Sequence, residues 1–279
     1  MKLSVIIPVW NTGENAVKLI QQLLRQYADL EIIAVDDGST DDSLQKLEEV
    51  SRCSLARSRV KVVHQENAGA SAARNTGIRM ARGEYLCFLD SDDEIKDGML
   101  KKMVEKMDQN PQLAISTVGM EYRKLAQGRV ENTYVSSRRE RRRNESRAEY
   151  MLYLLLLDGR MYGVINKLFR TKIVQENKLE FEVGRTFAED TNFVLDYLRY
   201  APGEFSFILE PLYIYNYGTE TSTVKKSATE WKNWQESYDY LKKWVKDTDG
   251  LSLRSRILLQ LVKARWRVSH LRSKRRARG

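Results

Sequence analysis

Only two cysteines, Cys53 and Cys87, occur in the 279 residues, too few for a disulfide framework and at the wrong spacing for zinc. A reducing cytoplasm is the expected compartment. Long hydrophobic runs are missing as well: the longest apolar stretch, around Tyr150 to Leu157, falls far short of the roughly 20 residues that cross a bilayer as a helix. Met1 leads directly into an apolar strand pattern with neither a basic leader nor a cleavage site, so a protein that is neither secreted nor integral is expected. Histidine is as scarce as cysteine. His64 and His270 have no partner at metal-ligand spacing and read as structural or surface residues. No internal repeat or low-complexity linker occurs.

Acid is absent from the last stretch of chain. Residues 251–279 hold ten Lys or Arg and no Asp or Glu, so a total charge of +9 leaves the preceding 250 residues at −1. A basic body that binds nucleic acid is thereby disfavoured. The stretch Arg254 to Arg278 mixes its cations with Ile257, Leu258, Leu261, Val262, Trp266 and Val268. It suits either peripheral contact with an anionic membrane or a solvated final helix. What remains is ordinary for a folded chain: 42% hydrophobic and 30% charged residues supply a sizeable core. The length fits one α/β catalytic unit with an appendage.

Up to about residue 110, short β-rich apolar runs alternate with helical patterns, the signature of βαβ units around a parallel sheet. Strands are predicted at Leu3 to Val9, Glu31 to Val35, Val60 to His64 and Glu84 to Leu89. Helical spacing links Leu19, Ile20, Leu23 and Leu24, then Leu44, Leu47 and Val50, then Ala70 to Met80. Thr40 and Asp97 are the expected N-caps of the helices that follow them. From Gln112 to about Tyr217 the pattern is mixed, with strands near Ala114 to Val118 and Tyr213 to Tyr217 and helices near Ala148 to Leu157 and Thr191 to Tyr200. Between these lies an Arg-rich loop, Ser136 to Arg147. Beyond residue 227 a helical hairpin is expected. An open sheet of this kind binds its ligand beyond the carboxyl ends of its strands, which singles out the loops after Val9, Val35, His64 and Leu89.

The loop after the fourth strand reads FLDSDDE, Phe88 to Glu94. An extended backbone through it would turn Asp90 and Asp92 to one side and Asp93 to the other. Two hard oxygen ligands at a strand end suit Mg²⁺ or Mn²⁺, whose shell substrate phosphates and water complete. Such a cation would neutralise a diphosphate leaving group. Asp36 and Asp37 end the second strand, either as a turn before a helix or with one carboxylate toward a nucleoside.

Four strings, SVIIPVWN, EIIAVDDGSTDDS, QENAGASAARNTGIRMARGEYLCFLDSDD and FAEDTNF, resemble the bacterial family 2 glycosyltransferases, in that family's order and spacing. The resemblance implies the GT-A fold, an α/β nucleotide-diphospho-sugar transferase with a Rossmann-like mixed sheet, here with a C-terminal helical extension. The catalytic domain would span 1–220, divided into a nucleotide-binding half, 1–110, and an acceptor half, 111–220; a basic helical extension, 221–279, would follow. By resemblance, Pro8, Asn11, Glu14 and Asp37 line the nucleoside pocket, with Asn67, Gly69 and Arg74 closing over it. Gly69 would leave room for the nucleotide, and Arg74 would be a donor contact or a surface ion pair. Asp90 would contact ribose or a metal-bound water, Ser91 would join the diphosphate grip, and Asp92 would ligate the metal. Asp190 would be the general base; read from the residues alone, Glu189 and Asp190 are acids placed favourably against the dipole of the helix that follows. Lys167, in VINKLFRT, would reach a phosphate or the acceptor, or be an ordinary exposed lysine. Tyr213, Tyr215 and Tyr217 would pack in the core, and Ser222 and Thr223 would help close on the donor.

The expected reaction is an inverting transfer from a UDP-hexose or UDP-N-acetylhexosamine to a saccharide or lipid-linked saccharide in surface-glycan synthesis, on the cytoplasmic side. Two alternatives stand beside it. A nucleotidyltransferase would be expected to carry a glycine-rich basic phosphate loop after the first strand, whereas PVWNTGEN has no Lys or Arg. A non-catalytic basic binding protein leaves the acidic centre unexplained.

Overall fold

The computed structural model describes the chain except residues 54, 57, 125–128, 135–142, 158–162, 186, 202, 218–230 and 277–279. Most of the Arg-rich loop, and Ser222 and Thr223, lie outside the described residues. The N-terminal part runs β1 (Leu3–Val9), α1 (Gly13–Gln26), β2 (Leu30–Asp37), α2 (Ser43–Arg52), β3 (Val60–Gln65), α3 (Ala70–Met80) and β4 (Tyr85–Phe88). Each strand is parallel to its neighbour in the order β3-β2-β1-β4. Every residue of β1 and β2 is buried, as expected for parallel strands covered on both faces. Helix α1 turns Ala16, Leu19, Ile20, Leu23 and Leu24 into the core at the spacing that makes one face of a helix. Helix α3 lies so near β1 that a Cβ on Gly77 would stand 2.4 Å from Ile6 Cγ2.

After β4 come β5 (Glu94–Ile95), α4 (Met99–Gln109), β6 (Leu113–Lys124), β7 (Arg129–Tyr134), α5 (Arg147–Leu157), β8 (Lys167–Arg170), α6 (Thr171–Glu176), α7 (Glu189–Tyr200) and β9 (Glu204–Tyr217). Strand β8 runs antiparallel between β4 and β6, β9 lies parallel to β6, and β5 closes antiparallel on β9. The chain goes outward from β1 to β3, then returns to β4 on β1's other side. This reversal opens a crevice at the carboxyl ends of β1 and β4.

Four phenylalanines tie the two halves together beneath that crevice. Phe88 meets Phe181, Phe193 and Phe169 edge-on at 5.2, 5.5 and 6.0 Å, and Phe181 stacks on Phe193 at 4.2 Å. Each such pair adds about 0.5–1.5 kcal/mol beyond burial. Phe88 ends β4 and Phe193 sits one turn into α7, so the cluster fixes the segments that carry Asp90 and Asp190. Helices α8 (Trp231–Asp249) and α9 (Leu253–Arg276) form the expected hairpin. Trp244 is buried and donates its indole N–H to Leu195 O in α7.

Two expected caps are replaced. Asp42 occupies the N-cap position of α2 with no side-chain cap bond, while the Thr40 hydroxyl accepts from Asn11 Nδ2 at 3.2 Å and its N–H donates to Asn11 Oδ1 at 2.8 Å. Helix α4 begins after Gly98, whose φ of 81° only glycine adopts readily, rather than at Asp97. Among the described residues, no helix is long and apolar enough to cross a membrane.

Candidate active site

The crevice is a cleft of about 780 Å³. Of the expected residues, Pro8, Asp37, Asn67, Gly69, Arg74, Asp90, Ser91, Asp92 and Asp190 line it, delivered by β1, β2, α3, the β4 loop and α7. Asp37 is an organiser of the loop before α3. Its Oδ1 accepts from Gln65 Nε2 at 2.7 Å and from Ala68 N–H at 3.0 Å, and its Oδ2 accepts from Gly69 N–H at 2.8 Å. Gly69 has a φ of 89°, which glycine adopts readily, and a Cβ there would meet no atom of the chain within 4 Å.

Strand β4 stops at Phe88, and a turn closed by Asp93 N–H on Asp90 O takes the place of the expected extended run. The turn, not strand alternation, separates the carboxylates. Asp90 and Asp92 line the cleft, while Asp93 is buried beneath it, accepting from Tyr213 Oη at 2.5 Å and from Asn216 N–H at 2.8 Å. Asn216 Nδ2 also holds Asp92 O at 2.8 Å. Thr12 and Ser91 share a hydroxyl contact of 2.6 Å that ties the β1 loop to this turn.

Arg74 is buried and forked between two carboxylates, with Nη2 2.7 Å from Asp90 Oδ1 and Nη1 3.2 Å from Asp190 Oδ1. Its guanidinium also stands 5.3 Å from the Phe181 ring centre. The surface ion pair considered from sequence is replaced by an internal bridge. Burial works against the charge of Arg74, but Asp190 and Asp90 outweigh it and raise the pKa. Burial pushes Asp190 upward against the pull of Arg74 and Lys167. Glu189 also lines the cleft, and burial followed by the Asp190 charge lifts it to about 7. The residue before this pair, Ala188, has a φ of 60°, a left-handed conformation that costs a non-glycine residue about 1–2 kcal/mol.

Three expected residues lie off the cleft lining. Asn11 adopts a φ of 53° and turns its amide onto Thr40, joining the β1 and β2 loops. Glu14 is exposed and meets Lys46 of α2 at 3.3 Å. Lys167 is fully buried rather than exposed. It donates to Gly163 O and Asn166 Oδ1 behind the wall, where its charge reaches Asp190.

Sequence reasoning did not assign Trp10, Thr12, Met120, Tyr122, Asn166, Arg185 and Asn216, all of which line the cleft. Trp10 carried a usable signal, an aromatic at a strand's carboxyl end; Asn216 carried none. Tyr215 lines the cleft, with its ring 5.7 Å from that of Tyr122, rather than packing wholly in the core as Tyr213 does.

Among the described residues no three His, Cys, Asp or Glu side chains cluster as a metal cage. Asp90 and Asp92 form a two-carboxylate set open to the cleft, and burial followed by the Asp90 charge raises the Asp92 pKa. Hard oxygens of this kind, one of which (Asp90 Oδ1) Arg74 already holds, fit Mg²⁺ or Mn²⁺, which keep water and phosphate ligands.

Residues 4–176 match the model of glycosyl transferase family 2. The chain belongs to that family. This family 2 chain is 34% identical over 216 residues to the uncharacterized glycosyltransferase EpsJ of Bacillus subtilis, a match covering 76% of the chain and 60% of EpsJ. It is 29% identical over 203 residues to the Staphylococcus aureus poly(ribitol-phosphate) beta-N-acetylglucosaminyltransferase TarP, covering 71% of the chain and 57% of TarP. The S. aureus TarS 1-349 structure in complex with UDP-GlcNAc superposes with a TM-score of 0.71 at 23% identity, covering 93% of this chain and 70% of that one. At that identity the structural likeness speaks for the fold, which is GT-A. The chain thus spans 60% of the length of EpsJ and 57% of that of TarP.

Proposed function

We propose that this chain transfers a hexose or N-acetylhexosamine from a UDP-sugar to a hydroxyl of a saccharide or lipid-linked saccharide, inverting the anomeric centre, as part of surface-glycan synthesis at the cytoplasmic face of a membrane. The observation that carries the reading is the meeting of Asp37, Gly69, Arg74, Asp90, Asp92 and Asp190 around one cleft at the switch point of the sheet. Family membership favours it over nucleotidyl transfer and over a non-catalytic basic protein. The name of TarP and the ligand of the TarS complex support UDP-N-acetylglucosamine as the first donor to try.

In this reading the nucleoside lies against Pro8 and the Asn67 to Gly69 loop that Asp37 holds, and the diphosphate reaches Asp90, Ser91 and Asp92. Mg²⁺ or Mn²⁺ held by Asp92 and Asp90 would supply charge neutralisation for the departing diphosphate. Asp190 takes the proton of the acceptor hydroxyl as its oxygen bonds to the sugar C1 and the bond from C1 to the diphosphate breaks. Arg74 fixes the separation of the two ends of this reaction by holding Asp90 and Asp190 on one guanidinium.

The test is thermal stabilisation and product formation across a panel of nucleotide-sugars with Mn²⁺. No response to any nucleotide diphosphate would overturn the reading. Asp190→Asn should abolish transfer yet leave metal-dependent UDP binding intact, and retained turnover would reassign the base.

A further inference from the structure

Helix α9 is apolar on two opposite faces. Leu259, Val262, Trp266 and His270 are buried, and the helix packs on α5 and α8, with Trp266 5.8 Å from the Trp234 ring. Leu253, Ile257, Leu261, Val268 and Leu271 stay between 47% and 76% exposed, and Ala264 is exposed among them. At about 100° per residue these six fall in a strip roughly 80° wide, centred about 180° from the buried face. The single stripe read from sequence is therefore two, and only the inner one is used by the fold. Opposed stripes cancel in any search for one amphipathic direction.

We propose that the outer strip docks the protein on an anionic phospholipid surface. Its borders are cationic, with exposed Arg254 and Arg265 along one edge and exposed Arg256 and Arg267 along the other. No acid occurs anywhere in residues 251–279, which carry ten Lys or Arg. An apolar strip rimmed on both sides by cations matches the boundary between phosphate headgroups and acyl chains, where the strip enters hydrocarbon and the rim reaches phosphate. A second copy of the same face is the poorer occupant, because pairing it with itself brings arginine rims together with no acid to answer them. The placement is independent of the transfer chemistry, since the strip is formed by α9 alone and none of its residues lines the cleft.

The test is co-sedimentation of the full chain with vesicles of phosphatidylglycerol and phosphatidylcholine, against vesicles of phosphatidylcholine alone. The wild type should sediment with the anionic vesicles and be released by salt. The variant Ile257→Ser, Leu261→Ser, Val268→Ser should lose binding at least tenfold while keeping a cooperative thermal transition, because about half of each residue's surface is already in water. Arg254→Gln with Arg256→Gln, which leaves the apolar strip intact, should lose about 25-fold, at roughly fivefold per cation. Equal sedimentation of the wild type and the strip variant would overturn the proposal, as would a wild type that stays in the supernatant. A strip-dependent dimer that ignores vesicles would overturn it too, giving the face to a second copy.

Discussion

Replacing Arg74 by methionine removes the cation shared by Asp90 and Asp190 while nearly conserving side-chain length against Phe181. The Arg74 side chain is 6% exposed, and those of Asp90 and Asp190 are 30% and 23% exposed. Deleting one partner of a buried ion pair costs about 3–5 kcal/mol, and the access of both carboxylates to water places this site near the lower end, at about 3 kcal/mol. For a chain of this size that is a fall of about 6–12 °C in the unfolding midpoint. The loss should also depend on pH. Arg74 lowers the Asp190 pKa against the effect of burial, so without it Asp190 binds its proton still more tightly in the folded chain. A carboxyl raised in this way costs stability as pH climbs past its unfolded value. The deficit should therefore be largest near pH 8 and shrink toward about pH 4, which urea unfolding followed by circular dichroism would show. A variant within about 1 kcal/mol of the wild type near pH 8, or a deficit flat with pH, would refute the assignment of Arg74 as the charge bridge of the cleft.

Glu189→Gln tests the neighbouring carboxyl. Burial and Asp190 lift Glu189 to about 7 from 4.5, so the folded chain holds a proton there that the unfolded chain has released, and stability falls as pH rises through that window. After allowance for partial exposure, the glutamine variant should gain about 1 kcal/mol near pH 8 and nothing near pH 4; equal unfolding curves at both would remove the argument. Tyr213→Phe deletes the hydroxyl that donates to buried Asp93 at 2.5 Å, a loss of about 1–2 kcal/mol for a buried hydrogen bond whose acceptor is left short of a partner. A change under about 0.5 kcal/mol in denaturant unfolding would mean that Asp93 does not depend on Tyr213.

The first four strands and three helices were legible because their signals are local. Seven consecutive buried residues in β1 leave an apolar run, and Leu19, Leu23 and their neighbours repeat at helical spacing. The caps were not legible, since Thr40 looks like a cap until the amide of Asn11, 29 residues away, donates to its hydroxyl. Arg74 reads as a surface cation on α3 until Asp190, 116 residues on, and the Phe181 ring close around it. Asp93 illustrates the same limit. Its partners Tyr213 and Asn216 lie 120 and 123 residues away and reach it only because β5 pairs with β9. The candidate site was thus readable as a set of strand-end motifs, while the groups that hold those motifs in position were invisible.

The charge of the cleft supports one more prediction. Its lining carries the carboxyls of Asp37, Asp90, Asp92, Glu189 and Asp190 against the guanidiniums of Arg74 and Arg185. Arg74 is already committed to Asp90 and Asp190, and Arg185 pairs with Glu182 at 3.1 Å. A diphosphate entering this wall meets net repulsion; burial first, and the charge of neighbouring carboxylates after it, raises the pKa of Asp92, Glu189 and Asp190. A divalent cation on Asp90 and Asp92 reverses the local sign, whereas an uncharged nucleoside needs no such reversal. UDP should therefore stabilise the chain against heat only when Mn²⁺ or Mg²⁺ is present, and chelation should abolish the effect. Any stabilisation by uridine should be indifferent to the metal. Metal-independent stabilisation by UDP would show that cations of the chain itself hold the diphosphate, and would move its site away from the Asp90 turn.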